Sequence, residues 1–283
     1  MTYTNPNALV ETSWLADHLD DPKVIILDAS WHLPTVDRDA KAEFQQRHIP
    51  NARFFDIDDA SDRASALPHM LPSPDGFADY VSALGIGNDS HVVVYDSYGL
   101  FSAARVWWMF RVFGHDNVSI LNGGLPKWET ETRPLTDAPT ASSQHPFNAV
   151  FRPKMVQSID DIQDNLTHGQ RKILDARSLA RFRGEAAEPR PGIRSGHIPG
   201  SACLPFDQLL DPASKTLLPA ETIEQLFDGA GIDNQMAVTC SCGTGVTACA
   251  LALGLHLIGN DDVAVYDGSW TEWGGRSDTP VEV

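Results

Sequence analysis

Met236-Ala237-Val238-Thr239-Cys240-Ser241 runs into Cys242-Gly243-Thr244-Gly245-Val246-Thr247-Ala248 and then into an apolar stretch that ends at Ile258. The first segment is apolar with β-branched residues and reads as a strand. The second carries two glycines and reads as a tight loop, and the third has the length and composition of a buried helix. A strand, a short loop and a helix in that order form the unit of a parallel sheet with helical crossovers, which predicts an α/β fold. The same loop puts a thiol where a helix begins. Backbone N–H groups and the positive end of the helix dipole then point at the sulfur, an arrangement that lowers a thiol pKa and favours a nucleophilic thiolate.

The loop also narrows the chemistry. A cysteine phosphatase clamps its phosphate dianion with the planar fork of an arginine at the end of such a loop, and Ala248 stands there instead. A zinc site needs ligand pairs at finger-like spacing, whereas Cys240 and Cys242 are a single residue apart with no second pair beyond them. No metal and no cofactor is therefore expected.

Outward from this loop, the chain repeats itself. Asn122-Gly123-Gly124 with Trp128 returns as Asp267-Gly268-Ser269 with Trp273, Phe113-Gly114 as Ile258-Gly259, and Asp116-Asn117-Val118 as Asp261-Asp262-Val263. At the same spacing Val92-Val93-Val94 falls on Ala237-Val238-Thr239. Slightly further apart, Leu27-Asp28-Ala29 matches Leu174-Asp175-Ala176, and His48-Ile49-Pro50 matches His197-Ile198-Pro199. In the first copy, strands are predicted over 24–27, 92–95 and 118–121, with a helix over 102–113, so each copy should hold a parallel sheet covered on both faces. Residues 134–143, rich in proline and small polar side chains, lack periodicity and read as a connector. The expected division is a first domain over 1–137 without a nucleophile, a linker over 138–152, and a second, catalytic domain over 153–283. The constant spacing sets Ser97 opposite Cys242, so only the second copy carries the thiol. Its ligand should bind at the carboxyl ends of the second sheet, with the first copy as a wall.

Composition sets broader bounds. The 283 residues are 42 % hydrophobic and 21 % charged, an ordinary globular balance with room for two cores. A net charge of −17 repels nucleic acid and acidic membrane surfaces, so neither is expected as a partner. Against that background Arg177, Arg181, Arg183, Arg190 and Arg194 form a local basic cluster suited to an anion. Four cysteines are too few for a disulfide scaffold and suit a reducing compartment, and residues 1–7 show no basic or long apolar leader. The cytoplasm is the expected location.

Taken together, the His-Ile-Pro motif of each half (His48-Ile49-Pro50-Asn51 and Ser195-Gly196-His197-Ile198-Pro199-Gly200), the loop from Cys242 to Ala248, and Tyr266-Asp267-Gly268-Ser269-Trp270-Thr271-Glu272-Trp273 resemble the tandem-domain sulfurtransferases of the rhodanese superfamily over nearly the whole chain. Gly243-Thr244-Gly245 is similar to the branch that takes 3-mercaptopyruvate, in contrast to the thiosulfate branch, where basic residues follow the cysteine. Leu27-Asp28-Ala29-Ser30-Trp31, Phe54-Phe55-Asp56-Ile57-Asp58 and Arg105-Val106-Trp107-Trp108-Met109-Phe110 are similar to that branch as well. Threonine at 244, where serine is commoner, keeps the hydroxyl and adds a methyl.

The resemblance implies two tandem rhodanese-like domains and a sulfurtransferase that works through a persulfide. Cys242 would take sulfur from 3-mercaptopyruvate, release pyruvate and pass the sulfur to a thiol acceptor such as thioredoxin or a small thiol, or to cyanide. It also implies that Arg181 and Arg190 hold the substrate, that the backbone of Gly243, Gly245, Val246 and Thr247 cradles it, and that Thr244, Asp58 and His69 handle the proton. Two rivals stay open: thiosulfate:cyanide sulfurtransfer, and a non-catalytic rhodanese-like binding module. His48 and His197 occur in both copies, so a structural role is expected for them, as it is for Arg177, Arg183 and Arg194. Cys203 and Cys249 read as small buried apolar residues. Cys240, two residues before the nucleophile, is a candidate redox partner for it.

Overall fold

The computed structural model describes residues 2–283. The first half contains β1 (Leu9–Val10), α1 (Thr12–Asp17), β2 (Val24–Asp28), α2 (Ala40–Gln46), β3 (Arg53–Phe54), α3 (Pro74–Ala83), β4 (His91–Tyr95), α4 (Ala103–Val112), β5 (Val118–Leu121) and α5 (Gly124–Thr130). The second half repeats the series with β6 (Val156–Gln157), α6 (Ile159–His168), β7 (Lys172–Asp175), α7 (Leu179–Phe182), β8 (Ala202–Cys203), α8 (Ala220–Gly229), β9 (Val238–Ser241), α9 (Ala248–Leu257), β10 (Val263–Tyr266) and α10 (Ser269–Gly275). The predicted strands and the predicted helix of the first copy fall within a residue of β2, β4, β5 and α4.

Each half builds one five-stranded sheet, ordered β1-β5-β4-β2-β3 in the first and β6-β10-β9-β7-β8 in the second, with every pair parallel. The identical permutation confirms the duplication. Parallel strands need buried faces on both sides, which is why β2 is apolar through Leu27 and buried throughout. Its alternate residues serve different cores. Ile25 and Leu27 face the large apolar cluster that runs through both halves, while Val24 and Ile26 face an outer cluster with Leu15 and Trp128. In the second sheet Leu174 joins the shared cluster and Ile173 an outer one with Ile162, Trp270 and Trp273.

Local signals set the helix starts. Ser158 and Asp161 form a reciprocal capping box at α6, and Ser73, followed by Pro74, accepts the amide of Gly76 at α3. The two helices that follow the central strands are different in kind. Within α4 every residue but Arg111 is buried, and within α9 every residue but His256. Helices apolar all round must be enclosed, and these two pack against each other where the halves meet. The first residues tie the halves further, with the amide of Thr4 donating to the carbonyl of Leu257 at 2.8 Å. Among the described residues no helix is long and apolar enough to cross a membrane.

Candidate functional site

Cys242 leaves the end of β9 and is 2 % exposed. Its loop is held from outside by α10, whose first turn has amides with no helical partner. The Trp270 amide donates to the Cys242 carbonyl at 2.9 Å, and the Thr271 amide and hydroxyl donate to the Gly243 carbonyl at 2.9 and 2.7 Å. Ser269, at a left-handed φ of 50°, accepts the Cys242 amide on its hydroxyl at 3.2 Å. The amides of residues 243–247 donate to no oxygen among the described residues.

The first half shows what such a ring of amides holds. Strand pairing corrects the expected match of Ser97 with Cys242. Ala29 donates to the Tyr95 carbonyl as Ala176 does to that of Ser241, and Leu125 donates to the Asp96 carbonyl as Trp270 does to that of Cys242. Asp96 is therefore the counterpart of Cys242, and the one extra residue of the first loop falls after it, which the constant spacing could not show. The Asp96 carboxylate is fully buried and accepts the amides of Phe101, Ser102 and Ala103 on Oδ2, at 2.7 to 2.9 Å, and of Tyr98 on Oδ1. A loop of this shape is thus an anion cradle, filled by a carboxylate in one copy and opening on a thiol in the other.

Three of the remaining loop residues have defined places. Thr244 and Val246 are buried beside Cys242, and Thr247 takes the N-cap position of α9 without a side-chain cap bond. Gly245 has φ 74°, and a Cβ there would lie 2.8 Å from the Asp267 carbonyl and 3.0 Å from Nη1 of Arg105. Only glycine fits.

Arg181, in α7, sits over the loop: a Cβ on Gly243 would meet its Nη2 at 3.1 Å. Its fork is engaged by Glu188, which Arg177 also binds, at 2.8 Å. Arg190 has no ion-pair partner among the described residues and lies in the field of Asp58, Arg181 and Cys242; burial pushes its guanidinium down against the pull of Asp58 and Cys242. Two other arginines of the cluster are tied into the fold, whereas Arg183 is exposed, with no side-chain hydrogen bond or ion pair among the described residues, so the structural role expected for it has no support here. Arg177 is buried against Asp175 and the Gly196 carbonyl, and Arg194 donates to the carbonyls of Trp273, Gly274 and Thr279.

From the first half come Asp58 and His69, which the fold brings together. Nδ1 of the buried His69 lies 2.9 Å from Oδ1 of Asp58, whose side chain is 59 % exposed, but off the line of a hydrogen bond, and neither ring nitrogen has an aligned hydrogen-bond partner among the described residues. Trp31 donates its indole N–H to Asp58 Oδ2 at 3.0 Å and meets the His69 ring edge-on. The His69 contact holds the Asp58 carboxyl below the usual carboxylate range. His69 itself is at φ 60°, unusual for a non-glycine residue.

Sequence reasoning missed the group that joins the two halves. Arg105, in α4, donates from Nη1 to the Gly245 carbonyl at 3.3 Å and from Nη2 to the His69 carbonyl, and Nη2 lies 2.7 Å from Asp267 Oδ1. The signal was a cation among apolar residues in the first turns of a helix that reads as buried, which needs a buried partner. Among the cysteines, Cys249 donates its thiol to the Gly245 carbonyl, and burial pushes the half-buried Cys203 up to about 12. Cys240 is fully buried and burial pushes its thiol far above the usual range. Burial thus works against the thiolate that exchange with Cys242 would need. His48 and His197 each donate Nδ1–H to a nearby backbone carbonyl, of Phe44 and Phe182, and stack on that same phenylalanine ring.

Comparison with known proteins agrees with this architecture. A model of the rhodanese-like domain matches residues 11–131 and again 158–276. The chain is 48 % identical, over 97 % of its length and 78 % of the relative's, to Thiosulfate/3-mercaptopyruvate sulfurtransferase 1, mitochondrial, of Arabidopsis thaliana. It is 46 % identical to the 3-mercaptopyruvate sulfurtransferase of Homo sapiens, over 94 % of this chain and 91 % of that one. The crystal structure of SseA from Escherichia coli, described as a 3-mercaptopyruvate sulfotransferase, superposes with a TM-score of 0.82 at 39 % identity, covering 93 % of this chain and 98 % of that one.

Proposed function

The chain belongs to the family of rhodanese-like domains, and on that premise we propose that it is a sulfurtransferase that moves sulfur from 3-mercaptopyruvate through a persulfide on Cys242 to a thiol acceptor or cyanide, releasing pyruvate. One observation carries this reading: the loop amides that close on a carboxylate at Asp96 have, in the loop after Cys242, no oxygen acceptor among the described residues, so they are free to solvate a sulfur anion.

In the first step the Cys242 thiolate attacks the sulfur of the substrate. An S–S bond forms, the C–S bond breaks, and its electron pair passes to the methylene carbon as the enolate of pyruvate. The proton of the substrate thiol ends on that carbon. His69, oriented by Asp58, carries it on Nε2, and the Thr244 hydroxyl lies at the sulfur end of the path. Arg190 and Arg181 hold the carboxylate and the keto oxygen, and their charge stabilises the enolate as it forms. The amides of Gly243, Gly245, Val246 and Thr247 solvate the sulfur before and after transfer. An acceptor thiolate then attacks the outer sulfur and restores the Cys242 thiolate. The cysteines are all unpaired, which suits a reducing compartment such as the cytoplasm and a thiol acceptor of the thioredoxin or small-thiol kind.

Intact-mass analysis after exposure to 3-mercaptopyruvate tests the reading. A gain of about 32 Da, one sulfur atom, is expected on the parent and none on Cys242→Ser. Turnover of 3-mercaptopyruvate by Cys242→Ser at the parental rate overturns it. A higher kcat/KM for thiosulfate than for 3-mercaptopyruvate transfers the assignment to thiosulfate sulfurtransfer.

A further inference from the structure

We propose that Arg105 is a positioning residue that locks the nucleophile loop of the second half and the His69 segment of the first half into one register. The inference deepens the sulfurtransfer reading and rests on it for the role of His69.

Arg105 is 1 % exposed and is the one charged residue on the buried part of α4, whose other charge, Arg111, reaches the surface. Its guanidinium lies 4.6 Å over the Trp108 ring, and its ion-pair partner Asp267 is 5 % exposed at the side chain. Buried ion pairs are poor stabilisers, because desolvation offsets most of the attraction and an apolar pair of the same shape does as well or better. What sets this pair apart is where its bonds end. Nη1 holds the carbonyl of Gly245, in the loop after Cys242. Nη2 holds the carbonyl of His69, and Oδ2 of Asp267 accepts the amide of Leu71 at 2.8 Å. The two charges therefore grip the chain on either side of Met70 and fix the left-handed backbone of His69, a conformation that costs about 1–3 kcal/mol when nothing enforces it. The same charges fix the left-handed Gly245, where the approach is too close for any side chain. One fork with two separate donors reaches both loops, so the distance between the proton carrier and the sulfur is set by a rigid planar group. Lysine, with a single ammonium, cannot span the two carbonyls.

Arg105→Lys and Arg105→Met test this, each compared with the parent for folding by circular dichroism, for turnover of 3-mercaptopyruvate, and for the rate at which iodoacetamide alkylates Cys242 at fixed pH. For both variants kcat is expected to fall about 100-fold, the usual cost of misplacing a reacting group by about 1 Å, with KM within about threefold because Arg181 and Arg190 are untouched. Alkylation is expected to slow about tenfold as the loop amides drift from the sulfur. Should Arg105→Met fail to fold, Arg105→Lys, which keeps a charge for Asp267, decides. Parental alkylation in a folded variant overturns the proposal whatever happens to turnover, as does a loss of thermal stability with kcat unchanged. A parent that alkylates readily but does not use 3-mercaptopyruvate overturns the substrate assignment instead, and slowed alkylation in the variants then still supports the lock.

Discussion

The carbonyls of Asp96 and Cys242 accept the same hydrogen bond, from Leu125 at 3.0 Å and from Trp270 at 2.9 Å, at the same turn of two sheets with the same strand order. Duplication thus left two copies of one anion cradle. In the first copy a side chain of the chain itself, Asp96, neutralises the amides and closes the site. In the second a thiol, Cys242, stands at that position and the loop amides have no oxygen acceptor among the described residues. Asp58, His69 and Arg105 come from the first half, and Arg105 reaches the Gly245 carbonyl of the second.

Asp96 should matter for stability. Its carboxylate satisfies four backbone amides in a fully buried loop, so Asp96→Ala is expected to cost about 3–5 kcal/mol, as for removal of one partner from a buried charged network. Urea unfolding checks this, with Asp96→Asn, which keeps an acceptor, falling between the two. A cost below about 1 kcal/mol would mean that the loop amides find other partners.

The two substrate arginines should not be equivalent. Arg181 shares the buried Glu188 with Arg177, whereas Arg190 has no ion-pair partner among the described residues. Loss of a charge-assisted pair to the substrate carboxylate is worth roughly 2–3 kcal/mol, so Arg190→Ala should lower kcat/KM about 30- to 100-fold, chiefly through KM. The effect of Arg181→Ala should be smaller, because that fork must leave Glu188 to reach the substrate. Steady-state kinetics on both variants with 3-mercaptopyruvate settle the order.

Gly245→Ala should damage activity and fold together. The added Cβ meets the Asp267 carbonyl at 2.8 Å at a φ of 74°. A destabilisation of about 1–3 kcal/mol is expected, and a loss of about 100-fold in kcat if the loop moves by about 1 Å. Gly169→Ala gives the contrast: φ is 61° there, but no atom lies within 4 Å of the new Cβ, so only the backbone strain remains.

Stability should carry one proton's worth of pH dependence from Asp28. Burial pushes its carboxyl up to about 6, against the bonds from Ser30 and Tyr95 that favour the charged form. Because the folded value is raised, the contribution is complete below about pH 4, is lost as pH rises through 6, and stays lost at pH 8. Relative to the parent, Asp28→Asn should therefore be more stable at pH 8 than at pH 4 by up to about 3 kcal/mol, measured by urea unfolding at both values. An equal difference at the two pH values would show that folding leaves the Asp28 pKa unshifted.

Most of the architecture was legible before the coordinates, because parallel strands buried on both faces and helices buried all round leave long apolar runs between glycine- and proline-marked turns. Strands β2, β4 and β5 and helix α4 were readable for that reason. The match of Cys242 with Ser97 failed by a single residue, because spacing cannot say on which side of a variable loop an extra residue falls. Hydrogen bonding from Ala29 and Ala176 can, since a ladder has only one register. Cys240 showed the opposite limit: two residues from the nucleophile along the chain, it is fully buried inside β9, whereas Cys242 stands beyond the strand's end in the loop.

The chain by itself determined the repeat, the parallel α/β halves, and a thiol in a glycine loop at a helix start, since each depends on neighbours in sequence. Only the tertiary structure decided that Asp96 answers Cys242, that Glu188 engages Arg181 and leaves Arg190 unpaired, and that Arg105 reaches both His69 and Gly245. Those relations join residues far apart along the chain, and they exist because burying α4 against α9 brings the two halves together and obliges every charge caught between them to find a partner.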